Sequence, residues 1–311
     1  MKITFLFLLH SSPIIPEQII KRSANSDIRF YLHFDRKYNG DVSTLKNYNN
    51  VFITDNRHIV EWGEMSIVET VVDCCREICA TTDSEFIVLL SGADYAVKNI
   101  DYIIEYIQSH ADKDFIQGER IPSPSCHWLE GGRRRLECYS LNLGGKDIAT
   151  IEPRVINWGN MRQFGKILKA SPFSLPKAIK IWLTAPKRRH PGGIVPYKGE
   201  MWWGLRRSTI EAALRYIDNN PAFVDYHKNT CIPDEIFFNT LVYNLIPSSE
   251  ISSNCLRFIN WGTDMPGNSP FSIRNDEETL IRKIVADRDC LFARKVDDIN
   301  TVNEINRIVD E

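Results

Sequence analysis

Apolar residues follow two rhythms over the first third of the chain. "KITFLFLL" (2–9), "IRFYLHF" (28–34), "NVFIT" (50–54) and "EFIVLL" (85–90) are short runs rich in large and β-branched side chains. Such runs, bounded by polar residues, predict buried strands. Between them, "PEQIIKRSA" (16–24), "MSIVETVVDCCREICATT" (65–82) and "IDYIIEYIQSH" (100–110) repeat apolar residues at spacings of three and four, which predicts helices. Alternating strand and helix predict an α/β fold, with a mainly parallel sheet covered by helices on both faces. In such sheets ligands bind outside the carboxyl ends of the strands. Two polar segments fall there, "HFDRK" with Asp35 and "LLSGADY" with Asp94.

From about residue 119 the rhythm turns irregular. "ERIPSPSCHWLEGGRRRLECY" (119–139), rich in Pro, Gly and Arg, suits a surface loop built to contact something. Residues 161–198 then carry nine Lys or Arg and no acid. Either this is a solvated face or it meets an anionic neighbour: nucleotide phosphates, a phosphorylated lipid or the anionic inner leaflet of a membrane. Periodicity returns in "CIPDEIFFNTLVYNLI" (231–246), where Ile236, Phe237, Leu241 and Leu245 share one helical face behind Pro233. That pattern puts Asp234 and Glu235 in the first turn of a helix, where carboxylates complement the dipole or do chemistry. Spacing does not separate the two.

Composition bounds the rest. The 311 residues are 43% hydrophobic and 25% charged, with a net charge of −2. This is ordinary globular material and argues against a general nucleic-acid binder. The opening "MKITFLFLLHSSP" reads as a buried strand rather than a secretory leader, because His10 interrupts the apolar run and no convincing small-residue cleavage site follows. No stretch approaches the roughly 20 apolar residues that cross a bilayer. Eight cysteines, three of them (Cys74, Cys75, Cys79) in one predicted helix without metal-type partners, fit a reducing cytoplasm. His10, His33 and His227 show no metal spacing and read as core or loop histidines.

Seven segments in order, "RHIVEWGEMSIVET" (57–70), "FIVLLSGADYAVKNIDYI" (86–103), "YKGEMWWGL" (197–205), "CIPDEIFFNTLVYN" (231–244), "LRFINW" (256–261), "NSP" (268–270) and "LFARKVD" (291–297), resemble the core-2/I-branching glycosyltransferases. This is glycosyltransferase family 14, which also holds the peptide O-xylosyltransferases, and the chain is similar to a bacterial-type member. The resemblance implies a GT-A-like, Rossmann-like fold in a single large domain with irregular acceptor-side insertions. Residues 1–118 would form its nucleotide-binding half and 119–311 its acceptor and catalytic half. It further implies a UDP-sugar donor, inversion at the anomeric carbon and no catalytic metal. Carried over by motif, the general base falls on Glu235, with Asp234 left as a helix-terminal residue. The cations that hold the donor diphosphate fall on Arg294 and Lys295, with Arg274 a weaker candidate.

Asp35, Trp62 and Asp94 fall on the donor side, and Glu119, Trp128 and Arg133 to Arg135 where acceptor contacts lie. Trp202 and Trp203 read either as sugar platforms or as core. One departure stands out: the family's Gly-Ser-Gln-Trp-Trp is here Gly199-Glu200-Met201-Trp202-Trp203. That change near the sugar site leaves donor and acceptor open, with GlcNAc first and xylose next. In place of an Asp-x-Asp after the fourth strand stands Ser91-Gly92-Ala93-Asp94, and a single carboxylate is a poor Mg²⁺ or Mn²⁺ site. Asp287-Arg288-Asp289 matches the spelling but lies far from that strand. The expected partners are a UDP-sugar and a glycan or glycoconjugate acceptor, lipid-linked acceptors included, in the building of surface polysaccharide or another glycoconjugate. Nucleic acid is not among them, and peripheral contact with the inner membrane follows only from the basic stretch. A catalytically silent carbohydrate-binding protein on the same fold is the competing class.

Overall fold

The structure is a computed structural model and describes residues 1–23, 27–262 and 269–311. Ala24 of the first predicted helix and Asn268 of the Asn-Ser-Pro segment lie outside the described residues. The chain runs β1 (Ile3–Leu9), α1 (Ile14–Arg22), β2 (Ile28–Phe34), β3 (Val51–Ile53), α2 (Met65–Thr81), β4 (Phe86–Ser91), β5 (Asp94–Ala96), α3 (Ile100–Ser109), β6 (Asp114–Phe115) and β7 (Glu119–Arg120). It continues through α4 (Arg133–Glu137), β8 (Tyr139–Gly144), β9 (Asp147–Ile151), α5 (Trp158–Ala170), α6 (Leu175–Thr184), β10 (Tyr197–Lys198), β11 (Gly204–Arg206), α7 (Arg207–Asn219) and α8 (Pro221–His227). α9 (Phe237–Leu245), β12 (Ile251–Ser252), β13 (Arg257–Ile259), α10 (Glu278–Ala286), β14 (Phe292–Arg294) and α11 (Ile299–Val309) complete it.

Seven strands form the central sheet in the order β12-β6-β11-β4-β1-β2-β3. β1 runs parallel to β2 and β4, β3 parallel to β2, and β11 antiparallel to β4 and β6. The mainly parallel α/β architecture expected from the alternation is therefore the one found. Both faces are apolar, as parallel strands require. Ile3, Phe5, Phe7 and Leu9 of β1 pack with Phe30 and Val88 under α1, α3, α10 and α11, whereas Leu6 joins Tyr31, Ile87 and Leu89 under α2, α7 and α9.

Three features beyond the sheet position the site. A three-stranded ribbon, β13-β14-β5, sets Arg294 opposite Asp94 in its register. The hairpin β8–β9 carries α5 and α6 on a small core of its own, Leu141, Ala149, Ile151, Ile167 and Ala178. The third feature corrects the sequence reading: Pro233–Glu235 is a tight 3-10 turn, and the helix begins only at Phe237. In an uninterrupted helix the Glu235 carbonyl would accept from Asn239; here it accepts the N–H of Gly199 at 2.9 Å. Asp234 and Glu235 thus sit beside the helix, not in its first turn, and the dipole argument for them falls away.

Candidate active site

A cleft of about 780 Å³ opens beyond the carboxyl ends of β1, β2 and β4. Asp35, Trp62, Glu200, Trp202, Glu235, Arg294 and Lys295 all line it. Asp35 follows β2 and closes its own turn, accepting from the backbone N–H of Lys37 at 2.7 Å and of Val60 at 3.2 Å. Its neighbour His33 accepts from the N–H of His58 at 3.0 Å, and burial drives its pKa down to about 4. It is a neutral structural imidazole. His227 is likewise buried, bonded to the Phe223 carbonyl at 2.8 Å and lowered to about 3.

The cationic wall is built from behind. Asp94, fully buried, accepts from the Ser91 N–H at 2.6 Å, the Arg257 guanidinium at 2.8 Å and Arg294 at 3.3 Å. Arg294 also donates to the Ser91 hydroxyl and lies 4.4 Å from the centre of the Trp202 ring, which Arg257 approaches at 5.2 Å. Arg294 is therefore fixed by a carboxylate beneath and an aromatic face beside it, and cation–π contact strengthens as water is excluded. Lys295 bonds Ser269 Oγ, and its pKa is held below the usual lysine value by burial and by the positive charges of Arg294 and Lys146. Lys146 comes from the β8–β9 hairpin tip and also lines the cleft.

Three carboxylates meet in the same cleft. Glu235 Oε2 accepts from Arg135, whose guanidinium lies 3.5 Å over the Trp128 ring. Glu200 accepts from Trp261 Nε1 at 3.3 Å, and burial together with the Glu235 charge raises its pKa to about 7. Asp234 is raised as well, by burial first and Glu235 second, and its shielded Oδ1 has no hydrogen-bond partner. The element next to Glu200 explains itself locally: a Cβ at Gly199 would stand 2.3 Å from the Gln117 carbonyl oxygen and 2.4 Å from Asn239 Nδ2. Only glycine lets the strand approach the helix so closely.

Several expected contacts are not in the cleft. Asp94 lies behind it and positions Arg294 instead of facing a ligand. Arg133 is consumed by Glu137 at 2.6 Å, Glu152 at 3.2 Å and Glu130. Arg134 is 2% exposed and holds the Thr150 carbonyl at 2.7 Å. Glu119 pairs with Lys198 at 3.0 Å, Trp128 stacks under Arg135, and Trp203 is wholly core. Arg274 is exposed and paired with Asp276 at 3.1 Å, away from the cleft. Asp289 accepts from Tyr106 and Asp287 from the Asp289 N–H, so Asp287-Arg288-Asp289 is a surface turn. Among the described residues no group of three or more His, Cys, Asp or Glu is placed to hold a metal ion.

Sequence reasoning did not single out Lys146, Arg257, Trp261 or Ser269. Lys146 had a legible signal: "LNLGGKDIATI" alternates about a Gly-Gly turn, and Gly144 and Gly145 adopt positive φ of 105° and 58°. Arg257 and Trp261 fall within "LRFINW", but nothing in their spacing told a buried guanidinium from a surface one.

An α/β chain with this cleft has its ligand site where open parallel sheets bind ligands, outside the carboxyl ends of the strands. The sequence pattern of the Core-2/I-Branching enzyme family matches residues 3–285, and the chain belongs to that family of glycosyltransferases. Xylosyltransferase 2 of Rattus norvegicus is 22% identical over 331 aligned residues, covering 99% of this chain and 33% of the relative. Xylosyltransferase 1 of Homo sapiens is 23% identical over 268, covering 84% and 24%. The chain thus spans about a third or less of the length of these curated relatives. The solved structure of HddC from Yersinia pseudotuberculosis overlaps 68% of the chain and 79% of its own at a TM-score of 0.28 and 10% identity, too low to carry an argument.

Proposed function

We propose that the chain is an inverting, metal-independent glycosyltransferase that moves a sugar from a UDP-sugar to a hydroxyl of a glycan or glycoconjugate. The observation that carries this reading is that Glu235 and the pair Arg294 and Lys295 line one cleft at the strand ends. Glu235 takes the proton of the acceptor hydroxyl as that oxygen attacks the anomeric carbon. The bond to the diphosphate breaks on the far side, and its developing charge is met by Arg294, Lys295 and Lys146. Among the described residues the hydrogen bond to the Glu235 carboxylate is the one from Arg135 to Oε2, which leaves Oε1 for the acceptor.

Metal independence rests on the donor set: Asp94 is a single buried carboxylate with both oxygens already bonded, by Arg257, Arg294 and Ser91, and the two guanidinium charges beside it oppose a dication there. UDP-GlcNAc and UDP-xylose are the donors to try first, the latter because the similar proteins are named xylosyltransferases. A silent carbohydrate-binding protein remains the second reading, favoured by Arg135 neutralising the base in this conformation. A donor panel read by UDP release separates the two. Glu235→Gln is expected to keep UDP affinity while lowering turnover by roughly a hundredfold, the scale of a lost general base. Near-normal turnover in that variant, or an equal loss with Asp234→Asn, would overturn the assignment.

A further inference from the structure

The helical pair α5–α6 presents a surface the transfer chemistry does not use. Seven of the thirteen exposed large hydrophobic side chains among the described residues fall between Ile156 and Leu183, a concentration that makes them a face and not scatter. Trp158, Met161 and Leu168 share one side of α5, on a helical wheel of 3.6 residues per turn. Phe173, in the turn between the helices, is 97% exposed, and Ile179 and Leu183 follow one turn apart on α6. The opposite sides bury Ile167 and Ala178 against the β8–β9 hairpin, so the fold already has its own core without the outer residues.

Cations rim this face. Of the nine basic residues in 161–198, Arg188 is buried on the Tyr226 carbonyl and Thr230 Oγ, both at 2.7 Å, Lys198 pairs with Glu119, and Lys166 pairs with Asp147 at 3.1 Å. The six left, Arg162, Lys169, Lys177, Lys180, Lys187 and Arg189, are exposed. The acids on the hairpin below are spent, Asp147 on Lys166 and Glu152 on Arg133 at 3.2 Å and Asn157 at 3.2 Å. No helix among the described residues is long and apolar enough to cross a membrane.

We propose that the α5–α6 face docks the protein on an anionic lipid surface. Its indole and phenyl rings enter the headgroup boundary while the cations meet lipid phosphates, the chemistry of an interfacial amphipathic element. A second copy of the same face is a poor occupant, because it would set Arg162, Lys169, Lys177 and Lys180 of one α5–α6 pair against the same four of the other. The same hairpin carries Lys146 to the cleft mouth, so docking would bring the cleft near the bilayer.

Flotation of the full chain with vesicles tests this, using phosphatidylcholine alone or mixed with phosphatidylglycerol, at low and high salt. Binding is expected to the mixed vesicles only and to weaken with salt. Lys177→Glu with Lys180→Glu should lower it by well over tenfold, since each cation near such a surface is worth about fivefold in partition. Trp158→Ser with Phe173→Ser should lower it comparably, with an unchanged thermal midpoint because both side chains are exposed. Three results would overturn the proposal: no binding to mixed vesicles at low salt, equal binding to both vesicle types, or a dimer in solution that Phe173→Ser dissociates. None of these depends on sugar transfer, so the docking and the catalytic reading fail separately.

Discussion

Replacing Glu200 by Gln tests the electrostatics of the carboxylate wall without assuming any substrate. Burial beside Glu235 lifts the Glu200 pKa from the ordinary 4.5 to about 7. The folded state therefore holds this proton more tightly than the unfolded chain does. Its contribution to stability is full below pH 4.5, declines as pH rises, and is lost above about 7. At 1.36 kcal/mol per pH unit the difference amounts to about 3 kcal/mol, discounted toward 2 because the carboxyl borders an open cleft. Gln keeps the acceptor for Trp261 and has no proton to lose. In urea unfolding at a series of pH values, the wild type should lose about 2–3 kcal/mol relative to Glu200→Gln between pH 4.5 and 8. Asp234 is itself raised in part by the Glu200 charge, so the comparison is repeated in an Asp234→Asn background, where that titration is absent. Parallel stability curves would refute the reasoning and show Glu200 to be hydrated and ionised throughout.

The remaining predictions concern the donor side and the backbone. Lys295→Ala should weaken UDP binding about tenfold by calorimetry, a lost charge-assisted contact, with a smaller and more salt-sensitive loss for Lys146→Ala; unchanged affinity in the first would return Lys295 to ordinary surface charge. Turnover should persist in EDTA and be indifferent to Asp287→Asn, and rescue of an EDTA-dead enzyme by Mn²⁺ would put Asp94 back at the centre of the donor site. Gly199→Ala should lower stability by about 2 kcal/mol or more, since its methyl group meets the Gln117 carbonyl, a main-chain atom that cannot swing away.

The first third of the fold was legible because its pattern is strong: parallel strands buried on both faces read as apolar runs, and α2 and α3 end within a residue of their predicted limits. The region after residue 119 was not, because Pro- and Gly-rich loops interrupt it and because α5 and α6 turn large apolar side chains outward, so that an apolar face there does not mark the core. Site residues divide along a similar line. Residue type and motif order pointed to Glu235, Arg294 and Lys295, but burial is invisible in a string of letters. The run Arg133-Arg134-Arg135 shows the limit: one arginine binds surface acids, the next is a buried strut, and the third reaches Glu235. Identical chemistry in sequence becomes three roles through nothing more than the direction each side chain leaves a short helix.

The segments that resemble the family are far apart in the chain yet bonded to one another. Gly63, next to Trp62, accepts from the N–H of Ile232 at 3.1 Å, tying the Trp62 loop to the turn that bears Glu235. Glu235 in turn accepts from Gly199, tying that turn to the segment of Glu200 and Trp202. Trp202 stacks against Arg294, and Arg294 returns through Ser91 and Asp94 to the end of β4. The ring of contacts closes around the cleft. A change at any link, such as a side chain at Gly199, shifts Glu235 and the cationic wall relative to each other, and on the proposed function a displacement of about 1 Å between reacting groups costs roughly a hundredfold in rate. Each of these segments therefore does two things at once: it lines the cleft and it holds its neighbours in place.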